Sequence, residues 1–202
     1  MKNMKKILVL ALAALLLVAV SVAGTVAYLT ATTAPVTNTF TPSTLSVAIE
    51  ESKPSNKTAP MVPGAAIEKN PKVTYATDVP AYVFVKVTES IGTGLTFSDY
   101  IDYSVITDGK WTALSSATGV YYMEVAAGSS PEGGISVIQD ANKVADQVTV
   151  KSALKVSDMT ALKNADDATD TSKYPKLTFE AYIIQKEPFN SASTAWNELT
   201  TP

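Results

Sequence analysis

Side chains that perform acid–base or nucleophilic chemistry are scarce in this sequence of 202 residues. It contains neither histidine nor cysteine, which removes the commonest general base, thiolate nucleophiles, disulfides, and imidazole or thiolate metal sites. Ser152 and Lys155 match a Ser-x-x-Lys pattern, in which the lysine would be the base for a serine nucleophile. The pattern falls in a run that predicts a β-strand, without the strand-turn-helix context of such a nucleophile. We therefore predict a protein that is not an enzyme, with no catalytic residue and no cofactor.

Paired acidic residues are the remaining route to a metal site. Asp166 and Asp167 lie in the stretch NADDATDTSKYP, residues 164–175, which predicts an exposed loop. Carboxylates bind Ca²⁺, but a dedicated calcium loop spaces its Asp or Asn ligands, contains a glycine and ends in Glu. This stretch has no such spacing. The sequence predicts no metal site and leaves open only whether this loop binds Ca²⁺.

Four aromatic residues could form a carbohydrate-binding surface, because sugars present apolar faces to aromatic rings. They are Trp111, Tyr121, Tyr122 and Trp196. Aromatic residues of these types more often pack in a core or at its edge, and we adopt that interpretation. The formal net charge of −3, with no dense lysine patch after residue 10, also argues against a nucleic-acid partner.

The N-terminus has the order of a signal peptide: a basic start, an apolar run, then small residues. Three lysines lie within residues 1–6, residues 7–20 are wholly apolar, and residues 21–24 read SVAG. A small-x-small cleavage pattern fits a cut before Gly24 or before Tyr28. Because the apolar run approaches the length of a spanning helix, an uncleaved membrane anchor is the alternative.

Short β signals dominate the rest of the chain. Residues 44–51 alternate apolar and polar side chains, and Val83, Val85 and Val87 alternate with Tyr82, Phe84 and Lys86, as in a core strand. Further short runs bounded by turn residues lie at 100–106, 119–125, 135–138, 148–156 and 176–186. Helical pattern is confined to the signal segment, to 157–165 and to 191–199. This organisation predicts an all-β fold, a jelly-roll-like β-sandwich with a few short helices behind an N-terminal signal-peptide helix.

Several motifs in order along the chain resemble the TasA/camelysin family of secreted proteins of Gram-positive bacteria. The N-terminal stretch GTVAYLTATTAPVTNTF matches a Gly-Thr-x-Ala-aromatic junction followed by Asn-Thr-Phe. The segment KNPKVTYATDVPAYVFVKV and the closing LTFEAYIIQKEPFNSASTAWNEL are similar to two further family segments. The turn at 129–134 is longer than the usual family form. Some family members have been labelled metalloproteases, but a chain without histidine cannot build the usual zinc peptidase site.

The resemblance implies a cleavage and an assembly step. A dedicated signal peptidase would cut after Ala27, with Thr25 and Ala27 as the small residues of the junction, and Tyr28 would become the new N-terminus. The implied organisation is a signal peptide at 1–27, an extended segment at 28–44 and a β-sandwich domain at 45–202. The extended segment would be a donor strand, with Tyr28, Leu29, Val36 and Phe40 as its apolar residues; the alternatives are that it folds back into its own domain or forms a flexible tail.

The function that the resemblance implies is structural. The protein would polymerise with itself, head to tail, into fibres on the cell surface or in the biofilm matrix, and would touch the membrane only through the uncleaved signal segment. The alternative is a monomeric cell-surface adhesion module that binds a glycan or a host protein. The two hypotheses differ in whether residues 28–40 are needed for large assemblies.

Overall fold

The computed structural model describes residues 2–29, 42–51, 59–163 and 170–201, and within the N-terminal helix it describes the side chains of residues 3–17. The chain divides into two compact units, residues 1–41 and 42–202. The first contains helix α1, Lys2–Leu29. Leu and Ala, both strong helix formers, dominate its sequence. Among the described residues, no helix combines the length and the apolar character needed to cross a membrane.

The second unit is β-rich with a few short helices, as predicted. Its strands are β1 (Leu45–Glu51), β2 (Ala66–Glu68), β3 (Pro71–Thr77), β4 (Ala81–Ser90), β5 (Ile101–Asp102), β6 (Ser104–Val105), β7 (Thr112–Ala113), β8 (Val120–Val125), β9 (Ile135–Ser136), β10 (Ile138–Gln139), β11 (Gln147–Val150) and β12 (Lys176–Gln185). Its helices are α2 (Val156–Ala161) and α3 (Ala192–Thr200), with a 3₁₀ turn at Phe97–Asp99.

The strands form four antiparallel sheets. The largest has the order β12-β4-β8-β7, and the others are β1-β3-β9, β2-β11-β5 and the pair β10-β6. The longest pairing joins β12 to β4 from Lys176 opposite Ser90 to Gln185 opposite Ala81. Strand β4 is therefore a central strand, and β12 lies at the edge of its sheet.

Strand β4 separates two apolar clusters. Val83 and Val85 face the larger cluster, which also takes residues from the three smaller sheets. Tyr82 and Phe84 face the smaller one, so the predicted alternation is confirmed. Both faces are buried because α3 covers the second face. Trp196 of α3 lies with its ring 5.2 Å from that of Phe84.

The end of the predicted strand at 148–156 is wrong. Strand β11 ends at Val150, and a turn at 152–153 leads into α2, which begins at Val156. The side chain of Val156 is 84% exposed. An exposed valine cannot supply the burial that an extended continuation would need, whereas Asp158 accepts a hydrogen bond from the backbone N–H of Lys155 and caps the helix start.

Candidate functional site

The two longest edge strands of the folded unit are β12 and β1, and the outer edge of each has no ladder partner among the described residues. Strand β12 pairs only with β4 over ten residues, and β1 pairs only with β3 over seven. The Cα atoms of β1 and β12 approach within 8 Å, so the two edges lie side by side. Backbone N–H and C=O groups on such edges can bind an added strand.

A cavity of about 490 Å³ lies at one end of these strands. Strand β1 contributes Glu51 to its wall, and β12 contributes Leu177 and Phe179. The Glu51 carboxylate lies 3.6 Å from the Lys69 ammonium at the same wall. The remaining wall is mainly apolar and includes Met61, Ile67, Phe97, Ile101, Val148 and Tyr174. The cavity could therefore take apolar side chains better than it could take a charged ligand.

The entry to β1 is fixed by one residue pair. The backbone N–H of Thr44 donates to both carboxylate oxygens of Asp78, at 3.0 and 2.9 Å, and the Thr44 hydroxyl donates to Asp78 Oδ2 at 3.0 Å. The Asp78 N–H donates in return to the Thr44 carbonyl at 3.4 Å. The bond from the Thr44 N–H stabilises the charged carboxylate and holds the pKa of Asp78 below its ordinary value of 3.8.

Sequence reasoning did not find this pair. Thr77 and Asp78 lie between two strand-like runs, where a turn is expected, but Thr44 lies 34 residues earlier than Asp78. No local periodicity reports a contact across that distance. The only available signal was the preference of Asp for turns, where its carboxylate accepts backbone hydrogen bonds.

The predicted cleavage and donor residues lie in the first unit. Thr25, Ala27, Tyr28 and Leu29 belong to the backbone of α1, and their side chains are outside the described set. Val36 and Phe40 lie outside the described residues, as do Asp166 and Asp167. Within the ranges the structure describes, no three acidic side chains converge as metal ligands.

The four aromatic residues do not form a common exposed surface. Trp111 is 1% exposed and donates from Nε1 to the Ser136 carbonyl at 3.0 Å. It belongs to the larger core cluster, against which Tyr121 packs. Trp196 and Tyr122 belong to the smaller cluster on the other face of the sheet. A sugar-stacking platform made of these four residues is therefore excluded, and their interpretation as packing residues is confirmed.

The fold and these contacts define a β-rich unit in which β1 and β12 lie side by side without a ladder between them in the part of the chain that the structure describes, with Asp78 holding the entry to β1. Comparisons of the chain with protein-family models, with curated proteins and with solved structures find no match. The similarity to the TasA/camelysin family therefore stands on the sequence motifs quoted above.

Proposed function

We propose that this chain is a secreted structural protein of TasA/camelysin type. Its folded unit would be a jelly-roll β-sandwich, and its copies would join head to tail into fibres on the cell surface or in the biofilm matrix. The observation that carries the proposal is the ten-residue edge of β12, which has no ladder partner among the described residues; because β1 lies within 8 Å of β12 and paired strands lie about 4.8 Å apart, an added strand would displace β1 from this edge. An edge of that length offers enough backbone groups to hold an added strand.

The donor would be the N-terminal segment of another copy. Residues 30–41 read TATTAPVTNTFT and carry no charge, so pairing them with an edge strand costs no desolvation of an ion. In an extended chain, alternate residues share one face, which places Tyr28, Val36 and Phe40 together. Pro35 falls on the opposite face and lacks an N–H, so it would interrupt the ladder at one point.

Cleavage would be the switch for assembly. While the segment remains joined to α1 it is tethered, and a cut after Ala27 would free it to enter another subunit. The resulting contact joins two different surfaces, the donor segment and the acceptor edge. Such a heterologous contact propagates into a filament when the rotation does not close a ring.

Assembly is tested by comparing three mature chains. The first begins at Tyr28, the second lacks residues 28–40, and the third begins at Tyr28 and carries Val36→Thr and Phe40→Thr. Size is measured by light scattering after gel filtration, and form by negative-stain microscopy. We expect filaments from the first chain, monomers from the second and markedly fewer filaments from the third, because threonine keeps the β-propensity but removes most of the apolar surface. Equal size for the first two chains would overturn the proposal.

A synthetic peptide of residues 28–40 provides the matched competition. Added in excess to the mature chain, it should occupy the acceptor edge and stop elongation, whereas a peptide with Val36→Pro and Asn38→Pro should not, because extra prolines remove ladder donors. Inhibition by both peptides alike would contradict strand pairing.

Secretion is tested on protein recovered from culture by intact mass and N-terminal sequencing. A start at Tyr28 agrees with the predicted junction, and a start at Gly24 selects the other small-x-small register. An intact Met1 in the membrane fraction would contradict secretion.

The second candidate is a monomeric surface module that binds a glycan or a host protein. The cavity of about 490 Å³ beside β1 and β12 favours it, because ligand sites in proteins are concave and mainly apolar. This function requires a monomer whose size does not depend on residues 28–40, so the same size measurement separates the two.

A further inference from the structure

The point where the N-terminal segment leaves the folded unit is defined by side-chain bonds that continue a strand ladder. The last backbone pair of β1 and β3 is Leu45 opposite Thr77. Thr44 and Asp78 are the next two residues outward, and four hydrogen bonds join them. Strand ends normally fray, but here a carboxylate holds the amide and the hydroxyl of the residue before the strand.

The residue before Asp78, Thr77, is bonded to the body of the fold. Thr77 is 5% exposed, its N–H donates to the Ser129 carbonyl at 3.3 Å, and its carbonyl accepts from the Gly128 N–H at 2.7 Å. Its hydroxyl oxygen accepts from the Val79 N–H at 3.2 Å and donates to the Val79 carbonyl at 2.5 Å. The bend that carries Asp78 is therefore fixed to the body of the fold by bonds that do not involve Thr44.

Beyond Thr44 the chain meets Ser43 and then Pro42, whose ring fixes φ and which has no N–H to donate. Proline adds local stiffness at the outer side of the anchored residue. Residues 42–44 therefore combine a bonded residue, Thr44, with a conformationally restricted one, Pro42.

We infer that Asp78 is the anchor of the N-terminal segment, and that its carboxylate fixes Thr44 as the residue at which that segment leaves the folded unit. Asp78 is a positioning residue in this role. Without it, Thr44 is also released and the segment leaves the folded unit at Leu45, which adds about 3 Å of reach at 3.3 Å per residue and removes the bonds that fix its direction at that point. The consequence of losing the anchor for fibre growth rests on the proposed function. A donor segment without the anchor would reach neighbouring copies in many orientations and would also reach the sheet of its own folded unit.

The variants that test the anchor are Asp78→Ala, Asp78→Asn and the control Glu132→Ala. Asparagine keeps one carbonyl acceptor and should retain part of the anchor. Glu132 is an exposed acid in another turn, and no hydrogen bond or ion pair of its side chain occurs among the described residues. The control therefore removes one surface carboxylate without removing an anchor.

The first readout is hydrogen exchange of the Thr44 amide, measured by NMR on a chain that begins at Pro42 and therefore cannot assemble through its N-terminal segment. We expect exchange about tenfold faster in Asp78→Ala, an intermediate rate in Asp78→Asn and the wild-type rate in Glu132→Ala. Exchange of the β4 amides should stay unchanged in all three. Equal Thr44 rates in wild type and Asp78→Ala would overturn the inference.

The second readout is assembly of the chain that begins at Tyr28, followed by light scattering and microscopy. Asp78→Ala should give slower growth and less uniform filaments than Glu132→Ala. Faster Thr44 exchange with unchanged filaments would overturn the link to assembly and keep the anchor. Absence of filaments from the wild-type chain would overturn the proposed function, while the exchange rates would still decide the anchor.

Discussion

Trp196 is the residue through which α3 covers the outer face of the large sheet. It is 7% exposed, and its ring lies 5.2 Å from those of Phe84 and Tyr182, tilted by 49° and 89°. Truncating a buried tryptophan to alanine costs about 3–5 kcal/mol. Each aromatic pair contributes about 0.5–1.5 kcal/mol of that beyond area burial. Because two pairs are lost, we expect Trp196→Ala to lower the free energy of unfolding by about 4 kcal/mol.

The assay is urea unfolding of the chain that begins at Pro42, followed by far-UV circular dichroism so that loss of a fluorophore does not affect the signal. Glu198→Ala is the control, since Glu198 is exposed on the same helix and alanine does not weaken a helix. The control should change the free energy of unfolding by less than about 0.5 kcal/mol. A loss below about 1 kcal/mol in Trp196→Ala would refute the packing of α3 on this sheet.

Fluorescence gives an independent check of where the damage occurs. The sequence has two tryptophans, so Trp196→Ala leaves Trp111 as the only one. Trp111 is 1% exposed in the other cluster, and its emission should stay blue-shifted in the native variant. A red shift without denaturant would show that the larger core depends on α3, which would contradict the separation of the two clusters by the sheet.

Three further predictions concern single turns. The pKa of Asp78 is lowered on folding, so the stabilisation from its carboxylate is fully present above its ordinary pKa and is lost as the pH falls from about 4 through the folded-state pKa. Measured against pH, the protection of the Thr44 amide from exchange should fall over this range. The Asp78→Ala variant should show no such fall, and the same fall in that variant would contradict the prediction. Gly119 has φ +74°, and an added Cβ would lie 2.6 Å from the Val87 carbonyl oxygen. Gly119→Ala should therefore destabilise the fold more than Gly109→Ala, where φ is +70° but the space is open; equal urea midpoints would contradict this. Asp140 is 4% exposed and accepts two backbone N–H bonds within its own turn, so Asp140→Ala should cost about 1–3 kcal/mol in urea unfolding, and a neutral result would contradict it.

Local sequence patterns predicted those parts of the fold that depend on residues close together in the chain. Strict alternation placed the valines of β4 on one face and Tyr82 and Phe84 on the other, and the helical pattern at 191–199 predicted α3. The Ser191 hydroxyl indeed accepts from the Thr194 N–H at the start of that helix.

Non-local contacts decided what the sequence could not show. Strands β5, β6, β9 and β10 have two residues each, too few for any periodicity. Strands β5 and β9 pair with the longer strands β11 and β3, and β6 and β10 pair with each other. The anchor of Thr44 on Asp78 is of the same kind. It depends on the register of β1 with β3, which a pattern within either strand does not specify.

The composition of β12 bears on whether its edge stays unpaired. Natural edge strands are protected from pairing by lysine, proline, bulges or inward-pointing charges. Lys176 and Glu180 are exposed in the first half of β12, and the Glu180 carboxylate lies 3.4 Å from the Lys86 ammonium, which partly neutralises it. The second half, residues 181–184, reads AYII and contains no charge, proline or glycine. Ala181 and Ile183 pack against the larger cluster, and Tyr182 and Ile184 pack against the smaller one, so packing on both faces of the sheet accounts for the absence of charge in this half of the strand.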